Sequence, residues 1–397
     1  LRVVRLGHGF PALFNADAVV LELLRQGKTL EDARAGGCTG CVEAGAFGKE
    51  AYVLTGYVNL PKLLELALHD GVDPRSGRRI GPSTGDPRDW TDADSLLAAF
   101  RAQLRHLVDV KIAGNQVIER LYAENMPVPF LSVLIDDCIE RGTDYHDGGA
   151  RYNTRYLQGV GLGSIADGLA ALDEAVFRSR SVGMDELLAA LDADFAGHEP
   201  LRLRLVHRMP KYGNDDDRAD TWMLRVFEEF LAAVDGRPTT RGGRHHIQLL
   251  PTTCHVYFGA MTGALPDGRH AGRPFSEGIS PVQGADRHGP TAVLRSAAKL
   301  DHLRTGGTLL NLKLAPALMA GDDGLAAVAH LVRGYFRLNG HHVQFNVVGA
   351  ETLHAARRNP GAHRDLMVRV AGYSDYFCDL PDALQLEIIS RTEHGAP

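Results

Sequence analysis

Apolar positions recur at helical spacing over long stretches of this chain. Val19, Val20, Leu23 and Leu24 form one stripe, which predicts a helix capped by Asn15, running to about Gln26 and stopped by Gly27. Thr29 with Asp32 then starts a short helix that ends at Gly36-Gly37. A helix is expected over about 60–70. The strongest signal starts at Thr91, with Asp94 in the capping-box position, and runs towards Asn125, where Pro127 and Pro129 end it. Helical pattern returns at 164–180, 185–196, 217–234, 323–338, 351–358 and 381–391. Between these lie apolar, β-branched stretches at 130–136, 253–258, 308–314 and 342–349, which predict strands. Pro266-Asp267-Gly268-Arg269 reads as a turn. Short strands alternating with helices define an α/β class. No internal repeat or low-complexity linker divides the chain, so one domain is expected.

Composition narrows the function classes. The 397 residues are 44% hydrophobic and 23% charged, as in ordinary globular proteins. A net charge of −6 argues against general attraction to nucleic acid. No apolar run reaches the roughly 18 residues that span a bilayer, and Leu1-Arg2-Val3-Val4-Arg5 does not lead into a signal-peptide core. The first residue is not Met, so the chain is expected to begin inside a longer gene product. Five scattered cysteines do not form a disulfide framework and suit a reducing cytoplasm. The adjacent pairs His245-His246 and His341-His342 point to opposite faces of any strand, so no metal site is expected from them.

The candidate chemistry lies in two segments about 330 positions apart. Residues 38–48 read as a loop with glycines clustered around Cys41. Cys38-Thr39-Gly40-Cys41 matches C-x-x-C, but neither a thioredoxin-like setting nor a second ligand pair for zinc accompanies it. A buried thiol in a tight loop is the plain alternative. Glu43, two residues on, is a carboxylate that can serve as acid or base beside a reacting thiol, or simply a surface Glu. Near the other end stands Arg369-Val370-Ala371-Gly372-Tyr373-Ser374. Val368, Val370, Tyr373, Tyr376 and Phe377 flank Gly372 and predict that it is buried, where a turn glycine would ordinarily be exposed.

Gly40-Cys41-Val42-Glu43 and Arg369-Val370-Ala371-Gly372-Tyr373-Ser374 resemble the two signatures of glycyl radical enzymes, the pyruvate formate-lyase-like superfamily. The likeness continues through Pro266-Asp267-Gly268-Arg269, Glu277-Gly278-Ile279-Ser280-Pro281, Gly289-Pro290-Thr291-Ala292-Val293, His342-Val343-Gln344-Phe345-Asn346 and the segment from Leu384 to His394. It implies half of a ten-stranded barrel, with parallel strands surrounded by helices and the Cys and Gly loops meeting inside. Residues 1–275 would be the barrel part and 276–397 the glycine radical domain, with a further N-terminal half in full-length relatives. It also implies roles. Gly372 stores the radical, Cys41 becomes a thiyl that takes hydrogen from substrate, and Glu43 handles protons. No bound cofactor is implied. A separate radical S-adenosylmethionine activase installs the radical on Gly372, in the cytoplasm of an anaerobe, and the full-length protein is expected to be a homodimer.

Substrate expectations follow from the same resemblance. Diol dehydratases of the superfamily carry an Asp about a dozen residues after the Glu, where Thr55 stands here. The run from Gly45 to Tyr57, and Leu303 to Asn311, are most similar to members that dehydrate trans-4-hydroxy-L-proline to 1-pyrroline-5-carboxylate. Thr252 aligns with a substrate-site threonine of that subgroup, or is an ordinary strand Thr. Ala44 departs from the Thr expected beside Glu43. The alternatives are a lyase for another diol, amino alcohol or sulfonate, an inactive fragment, or a spare-part protein that carries only the radical domain.

Overall fold

The computed structural model describes residues 1–395. Five parallel strands form its frame: β1 (Glu50–Asn59), β2 (Tyr152–Val160), β3 (Arg244–Gln248), β4 (Asn311–Leu314) and β5 (His342–Val347). β1, β2 and β3 pair in that order, with Tyr52 opposite Thr154 and Tyr156 opposite His246. Leu249 then bridges Thr308 in parallel, and β4 pairs with β5, Leu312 opposite Phe345. The strands thus form an arc in sequence order, and the α/β class with helix-covered parallel strands holds. No closed barrel forms among the described residues.

Helices α1 (Leu60–Leu68) and α2 (Ala93–Asn125) lie between β1 and β2 in the chain. Between β2 and β3 come α3 (Leu162–Leu172) and α4 (Asp217–Val234), and α5 (Asp322–Arg337) precedes β5. Their apolar faces bury Leu64, Phe100, Leu104, Leu169, Phe227 and Phe230 with Leu157 and Ile247 of the sheet. Each such side chain stabilises the fold by about 1.5–3 kcal/mol relative to exposure. α1 starts at an Asn59 cap that accepts from the Lys62 amide at 3.0 Å. α2 is capped by Asp92, which accepts from the Ser95 amide at 2.8 Å, so the cap falls one residue after Thr91. On the outer half of α2, Val110, Val117, Ile118 and Leu121 are exposed, followed by Phe130, Leu134 and Ile139.

Several expectations are corrected. Asn15 precedes the helix Ala16–Arg25, but its side chain does not cap it. Its amide instead donates to the carbonyls of Phe336 and Gly340, at 2.9 and 3.0 Å, tying that helix to the end of α5. Residues 130–136 hold a helical turn, Pro129–Ser132, with Pro at its start, where it fits best. Residues 253–258 fall in the helix Cys254–Ala260. β1, β2 and β3 were not legible as strands, because β2 and β3 mix buried polar with buried apolar positions and β1 buries only Glu50, Ala51 and Val58. Thr154, Arg155, Gln158, His245 and Gln248 are all buried and paired, as in Gln158 Nε2 to Gln248 Oε1 at 3.2 Å. Apolar periodicity cannot register such positions.

Candidate active site

Residues 37–45 are a hairpin rather than a loop. Gly37–Thr39 pairs antiparallel with Glu43–Gly45, Thr39 opposite Glu43, and Cys41 sits in the turn. Glu43 is buried, and its Oε2 accepts from the amides of Cys41 at 2.6 Å and Val42 at 2.9 Å. The carboxylate therefore braces the peptide that carries the thiol. The hairpin leans on the segment leading into β4 through the Ala44 amide, which donates to the Gly306 carbonyl at 3.2 Å. Gly307 has φ +128°, and any side chain there would strike the Val42 carbonyl. Ala44 is fully buried against Val19, Leu23 and Ala33, an apolar setting that a methyl fills without a hydroxyl.

The second segment is also a hairpin, Met367–Arg369 against Ser374–Tyr376. The Val370 amide donates to Tyr373 O at 2.8 Å and closes the turn. Gly372 is buried, as expected, with φ +87°. A methyl built on it would overlap Cys41 Cβ and lie 2.5 Å from Cys41 Sγ. Adding one carbon–carbon bond of ~1.5 Å puts Gly372 Cα within about 4 Å of the sulfur. Only glycine fits here, on both conformational and steric grounds. Val42 packs in one apolar cluster with Val368, Val370, Ala371 and Phe377, and the half-buried Cys41 lies against that cluster.

The other motif segments hold the glycine turn in place. The Arg369 amide donates to Asn346 Oδ1, and Asn346 Nδ2 donates to the Arg369 carbonyl, both at 2.7 Å. Arg369 Nε reaches Gln344 Oε1 at 2.5 Å. The Val370 carbonyl accepts from Asn311 Nδ2 at 3.1 Å and from Arg391 at 2.9 Å. Arg391 is in turn clamped by the buried Glu387, at 2.8 and 3.0 Å. These roles for Asn311, Gln344, Asn346, Arg369 and Arg391 were not foreseen. Their segments belong to the resemblance, but nothing in the sequence paired these side chains with the glycine turn.

Electrostatics suit a thiol that keeps its hydrogen. Burial, and then the charge of Glu43, push the Cys41 thiol up to about 11, against a smaller opposing pull from Arg369. Cys41 is therefore S–H at neutral pH, the form that can give or regain a hydrogen atom. Thr252 does not lie in a strand. It occupies a tight turn with φ +51°, and its Oγ1 is 3.1 Å from the Tyr57 hydroxyl. Burial raises the Tyr57 pKa, the Thr252 hydrogen bond lowers it, and Cys254, Cys41 and Glu43 add to the rise. Tyr57 thus holds Thr252, a partner that sequence reasoning missed. Thr55 donates its hydroxyl to the Tyr156 carbonyl at 3.0 Å, next to a break in the β1–β2 register. Behind the Cys turn lies His341. Burial lowers its pKa, but Cys38 and Glu22 raise it to about 10. No group of three or more His, Cys, Asp or Glu side chains suited to a metal forms among the described residues.

Two hairpins that pin a glycine against a thiol define a class, and family models agree with the geometry. Pyruvate formate lyase-like matches residues 1–259 and Glycine radical matches residues 275–378. The chain belongs to the pyruvate formate lyase-like family and is a glycyl radical enzyme chain. Among individual proteins, it is 54% identical to trans-4-hydroxy-L-proline dehydratase of Clostridioides difficile, over 98% of this chain and 50% of that protein. The crystal structure of the hydroxyproline dehydratase from that organism, with trans-4-hydroxy-L-proline bound, superposes with a TM-score of 0.98 over 99% of this chain and 50% of that one. The B12-independent glycerol dehydratase from Clostridium butyricum gives a TM-score of 0.96 at 39% identity, over 99% of this chain and 50% of that one. The (2S)-3-sulfopropanediol dehydratase of Klebsiella oxytoca is 36% identical over 98% of this chain and 48% of that protein. The chain spans about half the length of the curated relatives it matches.

Proposed function

We propose that this chain carries the radical-transfer centre of a hydro-lyase that removes water from trans-4-hydroxy-L-proline to give 1-pyrroline-5-carboxylate. The observation that carries the proposal is Gly372 Cα held against the Cys41 thiol beside an apolar cluster. The 54% identity to a hydroxyproline dehydratase supports this choice of substrate. Thr55, engaged with a neighbouring carbonyl where diol dehydratases carry an acid, points away from a diol.

In this reading a partner radical S-adenosylmethionine activase takes one hydrogen atom from Gly372. The Gly372 radical regains a hydrogen atom from Cys41: a C–H bond forms, the S–H bond breaks, and sulfur holds the unpaired electron. The thiyl takes a hydrogen atom from the ring carbon beside nitrogen. The 4-hydroxyl leaves as water with a proton supplied through Glu43, and the ring nitrogen gives up a proton in exchange. The product radical takes the hydrogen atom back from Cys41, so substrate loses water with no net oxidation. Glu43 is already fixed beside the thiol by two amides, which favours a carboxylate placed in advance. Thr252, held by Tyr57, would contact the substrate's polar groups. Residues 1–275 would form the barrel part and 276–397 the radical domain, in a homodimer working in an anaerobic cytoplasm.

The test is anaerobic co-production with such an activase, followed by electron paramagnetic resonance and product analysis. A glycine-centred signal that disappears in Gly372→Ala, with pyrroline carboxylate formed from hydroxyproline, is expected. A radical that turns over propanediol or isethionate but not hydroxyproline overturns the substrate. Absence of any radical overturns the reaction class.

A further inference from the structure

Behind the Cys41 turn sits a charged pair that the proposed reaction does not use. Glu22, on the helix Ala16–Arg25, and His341, just before β5, are both fully buried. Glu22 Oε2 lies 3.2 Å from His341 Nδ1 as an ion-pair contact, and neither Glu22 oxygen accepts a hydrogen bond among the described residues. His341 Nε2 faces the opposite way. It is 3.2 Å from the Val42 carbonyl and 3.8 Å from Cys38 Sγ.

A carboxylate and an imidazole sealed from water are costly unless their geometry is used. Here the geometry converges on one residue, Val42, whose N–H lies in the peptide shared with Cys41 and whose C=O lies in the next peptide. The Val42 amide is held by Glu43 at 2.9 Å, its carbonyl by His341 at 3.2 Å, and Gly307 closes over the same carbonyl. Cys41 is the adjoining residue, and its own amide shares Glu43. Fixing the two peptides that flank the Val42 Cα fixes the backbone course of the turn, and a shift there would carry Cys41 Sγ away from Gly372. Glu22 orients the ring so that Nε2 meets the carbonyl, the usual task of a carboxylate behind a histidine.

We propose that His341, oriented by Glu22, is a positioning residue that fixes the Cys41 turn against Gly372. The purpose of this positioning rests on the radical reading above, but the positioning itself does not. The resting chain suffices for the first test. Anaerobic alkylation with iodoacetamide, quantified at each cysteine by peptide mass spectrometry, reads how tightly the turn is held. His341→Leu is expected to speed Cys41 alkylation by about tenfold, the effect of losing one buried hydrogen bond. Cys138, Cys254 and Cys378 should stay within about twofold, as remote sites do. Cys38 touches the ring and should change with Cys41. His341→Gln, whose amide can still donate to Val42 O, should restore the wild-type rate, and Glu22→Gln should fall between.

An unchanged Cys41 rate in His341→Leu overturns the proposal. So does a His341→Gln variant as reactive as His341→Leu. An equal rise at all cysteines in both His341→Leu and Glu22→Gln also overturns it, because the pair would then support the fold at large. In activated protein, His341→Leu should keep its glycine-centred signal and lose turnover by about 100-fold, the scale of a ~1 Å misplacement. Failure of the wild type to form a radical would sink the reaction and leave the alkylation result standing.

Discussion

Replacing Arg391 by methionine should release the glycine turn while leaving the parallel strands intact. The guanidinium donates to the Val370 carbonyl at 2.9 Å and the Arg369 carbonyl at 3.3 Å, and it pairs with Glu387 at 2.8 and 3.0 Å. Removing one partner of a buried ion pair costs about 3–5 kcal/mol. The low end applies. Gln283 Nε2 still donates to Glu387 at 2.8 Å, His255 stands 3.5 Å away, and Asn311 still holds the Val370 carbonyl. About 3 kcal/mol corresponds to roughly 100–200-fold in a local opening equilibrium. Native-state hydrogen exchange reads this directly. The amides of Val370, bonded to Tyr373 O, and Phe377, bonded to Leu366 O, should exchange about 100-fold faster, while those of β1 and β2 should not change. The double change Arg391→Met with Glu387→Gln removes the stranded charge and should recover part of the protection. Unchanged exchange over 366–377 in Arg391→Met would refute the reasoning, as would equal loosening of β1.

Gly372→Ala combines left-handed backbone with a methyl overlapping Cys41, so it should destabilise the turn by about 2–4 kcal/mol, read by chemical denaturation, besides abolishing the radical. A melt like that of wild type would show that the two turns do not meet. The Cys41 thiol, raised to about 11, should alkylate about tenfold faster per pH unit from pH 7 to 9 with no bend, whereas a rate that levels off near the ordinary thiol value would contradict its burial. Asp167 is fully buried, and burial raises its pKa to about 7, against opposing effects of Lys211 and the Tyr212 amide. The folded state then holds a proton that the unfolded chain releases. Stability should therefore fall as pH rises from about 4 to 7, by at most about 1.4 kcal/mol per unit, and then level off. Asp167→Asn should flatten that slope in urea titrations, and an unaltered slope would exclude Asp167 as its source.

The two candidate segments were legible because the chemistry they resemble demands fixed residues at fixed spacing: a thiol two positions from a carboxylate, and a glycine inside an apolar sequence. The segments that support them were legible as parts of the resemblance, but the contacts their side chains make were not. Asn311, Gln344 and Asn346 are buried polar side chains whose partners lie elsewhere in the chain, so nothing local announces those contacts. For the same reason β1 to β3 escaped notice, since Arg155 pairs with Glu119 across to α2 inside what would otherwise read as a polar run. Residues 253–258 look like a strand by composition. Yet His255 must meet Glu387, and the segment coils into a helix in that context. The Asp92 cap differs from the expected Thr91 by a single position, within the usual looseness of helix ends.

Cys41 and Gly372 touch although about 330 residues separate them along the chain. At a synthesis speed of about 5–20 residues per second, the thiol leaves the ribosome roughly 15–65 s before its glycine partner exists. Throughout that interval the growing polypeptide carries the Cys41 turn without the glycine that packs against it. The contact between the two turns is thus among the last to become possible, after the five parallel strands between them have been made.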